Sequence, residues 1–139
     1  MSPIKILVVD DEPDVCRYLA LLFEGPGYSV SCACDGQEAA YRVKQFRPDL
    51  IMLDLSMPNK SGMKFYREMK STDELGRIPV VLVTMASGSR GGSRDAGRLG
   101  LAGHQLPPPD GFIAKPIDPE EIIGLVNRLV AARKPAPAL

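Results

Sequence analysis

The stretch Ile4-Lys5-Ile6-Leu7-Val8-Val9-Asp10-Asp11 is an almost unbroken apolar run closed by two carboxylates. A run of this length, rich in Val and Ile, reads as a strand buried on both faces. The pattern recurs along the chain. Leu50-Ile51-Met52-Leu53 ends at Asp54, Val80-Val81-Leu82-Val83 ends at Thr84, and the short run Phe112-Ile113-Ala114 ends at Lys115. A further extended segment runs from about Tyr28 to Ala33. Helix-length amphipathic segments separate these runs, which is the alternation of an α/β domain with a parallel sheet. Side chains at the carboxyl ends of parallel strands gather in one crevice. There, carboxylates offer the hard oxygen ligands that suit Mg²⁺, together with a hydroxyl and an ammonium.

The helices carry their own punctuation. The first starts near Asp14, turns Val15, Leu19, Leu22 and Phe23 to one face, and stops at Gly25-Pro26-Gly27. Asp35 with Glu38 three residues on resembles a capping box for a second helix, which Arg47-Pro48 ends. Ser61 caps a third helix carrying Met63, Phe65, Tyr66 and Met69. In the last helix Asp118 is the N-cap, Pro119 the first residue, and Ile122, Val126, Leu129 and Val130 the buried stripe. The six glycines between Ala86 and Asp110, followed by Pro107-Pro108-Pro109, predict a weak helix and a loose connection to the fifth strand.

With 139 residues, 45% hydrophobic and 24% charged, the chain reads as one domain over residues 1–132 with a flexible tail at 133–139. A net charge of zero gives no support to sequence-independent nucleic-acid or membrane-surface binding. No signal peptide or membrane-length apolar run is visible, so the expectation is a cytoplasmic protein without membrane insertion. Cys16, Cys32 and Cys34 lack metal-binding spacing and read as small packed thiols, and His104 as a solvated loop residue. Arg90, Arg94 and Arg98, four apart, read as a solvated helix face, or as a contact for an acidic partner.

Taken together, these motifs resemble the receiver domain of two-component response regulators over about residues 4 to 132. Asp10-Asp11 resembles the acidic pair of that family. Asp54-Leu55-Ser56-Met57-Pro58-Asn59-Lys60-Ser61-Gly62 matches the D-x-x-M-P-x-x-x-G segment around its phosphorylated aspartate. Thr84 falls at its hydroxyl position, and Lys115-Pro116 matches its lysine-proline turn. The resemblance implies a flavodoxin-like, doubly wound sheet of five strands in the order 2-1-3-4-5. It implies that Asp54 accepts a phosphoryl group from a histidine kinase or phosphotransfer protein. Mg²⁺ would be held by Asp11, Asp54 and the backbone carbonyl of Ser56, with Asp10 acting through a water. Lys115 and Thr84 would contact phosphoryl oxygens, with Thr84 and Phe112 as the switch pair. The output would be protein–protein contacts through the face made by helix four, strand five and helix five. On this reading the chain is a phosphoacceptor that catalyses its own phosphoryl transfer and dephosphorylation, and not an enzyme acting on separate substrates.

Two departures from the family pattern stand out. Met85 replaces the usual small residue after the hydroxyl position, and the segment between strands four and five is about ten residues longer than usual. No output domain follows, which resembles a stand-alone regulator with an unidentified downstream protein target and no direct nucleic-acid contact. A receiver-like module that binds without phosphorylation is the alternative. A dehalogenase-type phosphatase would want an Asp where Ser56 stands. The sequence Asp-Asp-Glu-Pro-Asp after strand one would repel a dinucleotide pyrophosphate.

Overall fold

The computed structural model describes residues 3–24, 27–55, 57, 61–85 and 108–132. In chain order the elements are β1 (Ile4–Val9), α1 (Pro13–Glu24), β2 (Tyr28–Ala33), α2 (Gly36–Phe46), β3 (Leu50–Asp54), α3 (Ser61–Lys70) and α4 (Asp73–Gly76). They continue with β4 (Val80–Met85), β5 (Gly111–Lys115) and α5 (Pro119–Ala132). The five strands form one parallel sheet in the order β2-β1-β3-β4-β5. This is the doubly wound order expected from the sequence.

The period of two along each strand builds two cores. Leu7, Val9, Ile51, Leu53, Val80 and Leu82 face α2 and α3, where they meet Ala39, Val43, Phe65, Tyr66 and Met69. The alternate residues Ile6, Val8, Leu50, Met52, Val81 and Val83 face Leu19 and Phe23 of α1 and Ile122 and Val126 of α5. Every residue of β3 is buried, as befits the central strand.

Local chemistry explains where the helices begin and end. Asp35 caps α2 by accepting from the Glu38 amide at 2.7 Å. Glu38 reaches back to the Cys34 amide at 2.7 Å, one residue before the N-cap that a strict capping box would serve. Arg47 closes α2 in the left-handed region, at φ 53°. Asp118 accepts from the Glu120 amide at 3.0 Å and so caps α5.

Some boundaries differ from the sequence reading. The third strand continues through Asp54, the fourth through Met85, and the fifth spans Gly111 to Lys115, because ladder pairing extends past the apolar residues. The single turn α4 was not foreseen. Four residues are too few to show a helical period, and its signal is only Thr72 ahead of Asp73-Glu74. The Lys70 ammonium holds the end of this turn, donating to the carbonyls of Gly76 at 3.0 Å and Ile78 at 3.3 Å. Of the stretch Ala86 to Asp110, where a weak helix was expected, residues 86–107, with Arg90, Arg94, Arg98 and His104, lie outside the described residues, as does the tail 133–139. Met85 and Lys115 are nonetheless paired in register, so β4 and β5 stay adjacent across the long intervening segment.

Candidate functional site

β1 and β3 lie side by side and in register, so the residues that follow Val9 and Leu53 project from the same end of the sheet. Asp10 (3% exposed) and Asp54 (2%) are the buried carboxylates among the described residues. The Asp10 amide donates to the Ala33 carbonyl at 3.0 Å, which prolongs the β1–β2 ladder to the rim of the crevice. The Asp10 carboxylate turns back to accept from the Glu12 amide at 2.9 Å and so shapes the loop into α1.

Lys115, the last residue of β5, reaches this end of the sheet. Its Nζ stands 3.1 Å from Asp10 Oδ2, 3.2 Å from Asp54 Oδ2 and 3.7 Å from Glu12 Oε1. The Lys115–Pro116 peptide bond is cis. Ion pairs this well buried have far more electrostatic weight than surface ones. Burial pushes the Asp10 carboxyl above the usual carboxylate range, and the charge of Asp54 adds to the push. The Glu12 amide and the Lys115 ammonium oppose the rise without cancelling it. Burial alone would lower the Lys115 ammonium, but Asp10 and Asp54 outweigh it and hold its pKa above the ordinary lysine value.

Around this centre, one carboxylate oxygen each from Asp10, Asp11 and Glu12 lie within 4.8 Å of one another. Asp11 and Glu12 are exposed, so the group opens to solvent. Three hard oxygen donors beside an already buried carboxylate fit a small divalent cation that keeps part of its water shell. Glu12 is the residue the sequence reading passed over. Its signal was its place directly after the acidic pair, but its nearness to Lys115 is a tertiary fact.

The remaining site residues are placed as follows. Thr84 is half-buried, next to last in β4, and paired in register with Ala114. Phe112 is paired with Leu82 and packs into the core beneath α2 and α3. Strand alternation puts Thr84 on that same face of the sheet, two residues beyond Leu82. Ser56 and the side chain of Met85 lie outside the described residues.

A doubly wound parallel sheet with buried carboxylates and a lysine converging at the carboxyl ends of its strands defines a class of ligand-binding α/β domain. The family can be stated more closely: residues 6–127 match the model of the response regulator receiver domain, and the chain belongs to that family. It is 37% identical over 131 residues to protein Rrf1 of Nitratidesulfovibrio vulgaris, an alignment covering 93% of this chain and 84% of Rrf1. It is 29% identical to the DNA-binding response regulator MtrA of Mycolicibacterium smegmatis, covering 96% of this chain and 54% of MtrA. The chain therefore spans about half of that longer relative. Among solved structures, a response regulator of Chloroflexus aurantiacus superposes with a TM-score of 0.77 at 25% identity, covering 94% of this chain and 99% of that one. Receiver domains are phosphoacceptor switches, and their acidic pocket typically binds Mg²⁺. Among the described residues, no helix is long and apolar enough to cross a membrane.

Proposed function

We propose that Asp54 is the phosphoacceptor of this receiver domain and takes its phosphoryl group from a histidine kinase or phosphotransfer protein. The observation that carries the proposal is the single ammonium of Lys115 bridging the buried carboxylates Asp10 and Asp54. An Asp54 oxygen attacks the phosphorus, the new O–P bond forms, and the N–P bond to the donor histidine breaks. Catalysis of such a transfer is mainly positioning and charge compensation. Asp54 is held rigidly at the end of a wholly buried strand, and Lys115 lies within reach of the oxygens that gain charge. Asp11, Asp54 and the Ser56 carbonyl would hold Mg²⁺, with Asp10 acting through a water. Bound Mg²⁺ would neutralise the carboxylates and the incoming phosphoryl oxygens.

Phosphorylation adds negative charge and strong hydrogen-bond acceptors at Asp54. Thr84 donates its hydroxyl to a phosphoryl oxygen, and Phe112, on the same face of the neighbouring strand, takes the space that Thr84 leaves. The result is a population shift that repacks the surface of β5, α5 and the segment between β4 and β5, and so changes protein–protein contacts. We further propose that residues 1–132 form the receiver unit, with 133–139 as a tail, working in the cytoplasm.

The test is the intact mass of the protein after incubation with acetyl phosphate, with Mg²⁺ or with a chelator. One added phosphoryl group is expected only with Mg²⁺, and none in Asp54→Asn. Equal labelling of Asp54→Asn would overturn the acceptor assignment. No labelling by acetyl phosphate or by a phosphorylated donor histidine protein would favour a module that binds without phosphorylation.

A further inference from the structure

Glu12 stands between the buried crevice and the solvent. Its amide donates to the Asp10 carboxylate at 2.9 Å, and its carbonyl accepts from the Val15 and Cys16 amides at 3.1 and 3.4 Å. The backbone of Glu12 is thus fixed at the start of α1. Its side chain is 60% exposed, yet its carboxylate lies 3.7 Å from the Lys115 ammonium, a longer approach than the 3.1 and 3.2 Å of Asp10 and Asp54. At this end of the sheet, Asp10, Asp11, Glu12 and Asp54 together outnumber that single ammonium.

We propose that Glu12 is a specificity-determining residue, a fixed negative charge at the mouth of the crevice that selects phosphoryl donors by their charge. This rests on Asp54 as the phosphoacceptor and names the kind of donor that its site favours. In that reading Asp10, Asp11 and Asp54 serve the divalent cation, and Lys115 serves the phosphoryl oxygens. When Lys115 turns to those oxygens, Glu12 loses the cation it faces, and its charge is left beside the arriving phosphoryl group. Like charges so near each other repel by an amount that water and salt screen only in part. The repulsion grows with the charge of the donor, so Glu12 penalises a bare dianion most. A donor with a cation beside its phosphoryl group, such as a phosphohistidine flanked by Lys or Arg, brings an attraction to Glu12 that offsets the penalty.

Two small donors separate these cases. Acetyl phosphate is a dianion near neutral pH, whereas phosphoramidate carries an ammonium on its phosphorus and is a monoanion. With either donor an Asp54 oxygen forms the new O–P bond. The O–P bond to the acetyl group breaks in the first reaction, and acetate leaves. The N–P bond breaks in the second, and ammonia leaves with the electron pair.

The test follows the initial rate of Asp54 labelling by intact mass with each donor, at saturating Mg²⁺, in low and in high salt. In low salt Glu12→Gln should be labelled about threefold faster than wild type by acetyl phosphate, and within about 1.5-fold of wild type by phosphoramidate. Glu12→Lys should widen this difference between donors, and Glu12→Asp should keep the wild-type ratio. Salt at roughly 0.5 M should remove most of the difference. Glu24→Gln takes a charge from the last residue of α1 and should leave the donor ratio unchanged. An equal shift in that variant would assign the effect to net charge and overturn the proposal. So would an unchanged donor ratio in Glu12→Gln, or a change that salt does not reduce, in either case with wild-type Asp54 still labelled. A wild type that neither donor labels would overturn the acceptor assignment and this proposal with it.

Discussion

A Cβ placed on Gly62 would stand 3.0 Å from the backbone carbonyl oxygen of Asp54, and 3.3 Å from side-chain atoms of both Leu55 and Met57. The first turn of α3 thus presses against the end of β3, where the proposed acceptor sits. Gly62→Ala would have to push the β3 end and the helix apart by a few tenths of an ångström. The expected cost is about 1–2 kcal/mol of stability, measured by urea denaturation with an unchanged m-value. Labelling of Asp54 by acetyl phosphate should slow at the same time, because the strain falls on that residue's own backbone. A Gly62→Ala protein of wild-type stability and rate would show that the contact relaxes freely.

Lys115 compensates two buried carboxylates at once, so removing it takes away the ammonium that both of them share. Lys115→Ala should destabilise the protein by about 3 kcal/mol at neutral pH. Millimolar Mg²⁺ should return part of that loss, because a divalent cation can serve the same carboxylates. Thermal melts of wild type and variant, with Mg²⁺ and with chelator, read both effects. If Mg²⁺ raises the variant's melting temperature no more than the wild type's, the carboxylates are not its site.

Much of this arrangement is legible in the sequence, and physics decides which parts. β1, β3 and β4 are covered on both faces, so they read as bare apolar runs, and the residues that end them mark the crevice. Asp10, Asp54 and Lys115 could be named in this way, and the structure brings their side chains together. The α2 and α5 caps are local chemistry and equally readable. What stayed hidden depends on distance through space. Glu12 gains its place only because Lys115 arrives from β5, a hundred residues away in sequence. Gly62 and Gly111 look like ordinary glycines until the backbone or side chain each one faces is known.

Tyr66 is fully buried in α3, and burial, aided by the charge of Asp110, pushes its phenol up to about 12 from an ordinary value of 10.0. The folded state therefore keeps this proton while the unfolded chain releases it. Its contribution is fully present below pH 10 and is lost as pH rises from 10 towards 12, to a limit of about 3 kcal/mol. Lys115, whose pKa is also raised, loses stability in the same direction above its ordinary value of 10.5. Lys70, lowered by burial, acts in the opposite sense and gains stability as pH rises towards 10.5. The Tyr66 share is isolated by Tyr66→Phe, which should flatten the fall in stability between pH 10 and 12. An unchanged alkaline slope in that variant would assign the loss to other groups.

Gly111 opens β5 where Leu125 of α5 crosses it, and a Cβ there would meet the two Leu125 methyl carbons at 2.8 and 3.2 Å. The clash is with the end of a side chain and not with backbone, so Leu125 can turn away at the expense of its packing. Gly111→Ala should cost about 1–2 kcal/mol, within the usual range for overpacking. Leu125→Ala alone should cost about 2 kcal/mol, at the low end for core leucines because Leu125 is only partly buried. The two changes share one contact, so they should not add. With Leu125 shortened, the new methyl fills space that the leucine vacates, and the double variant should be more stable than the sum of the singles by at least about 1 kcal/mol. A double-mutant cycle from urea denaturation measures this coupling. Strict additivity would mean that Gly111 is needed for its backbone freedom and not for room beside α5.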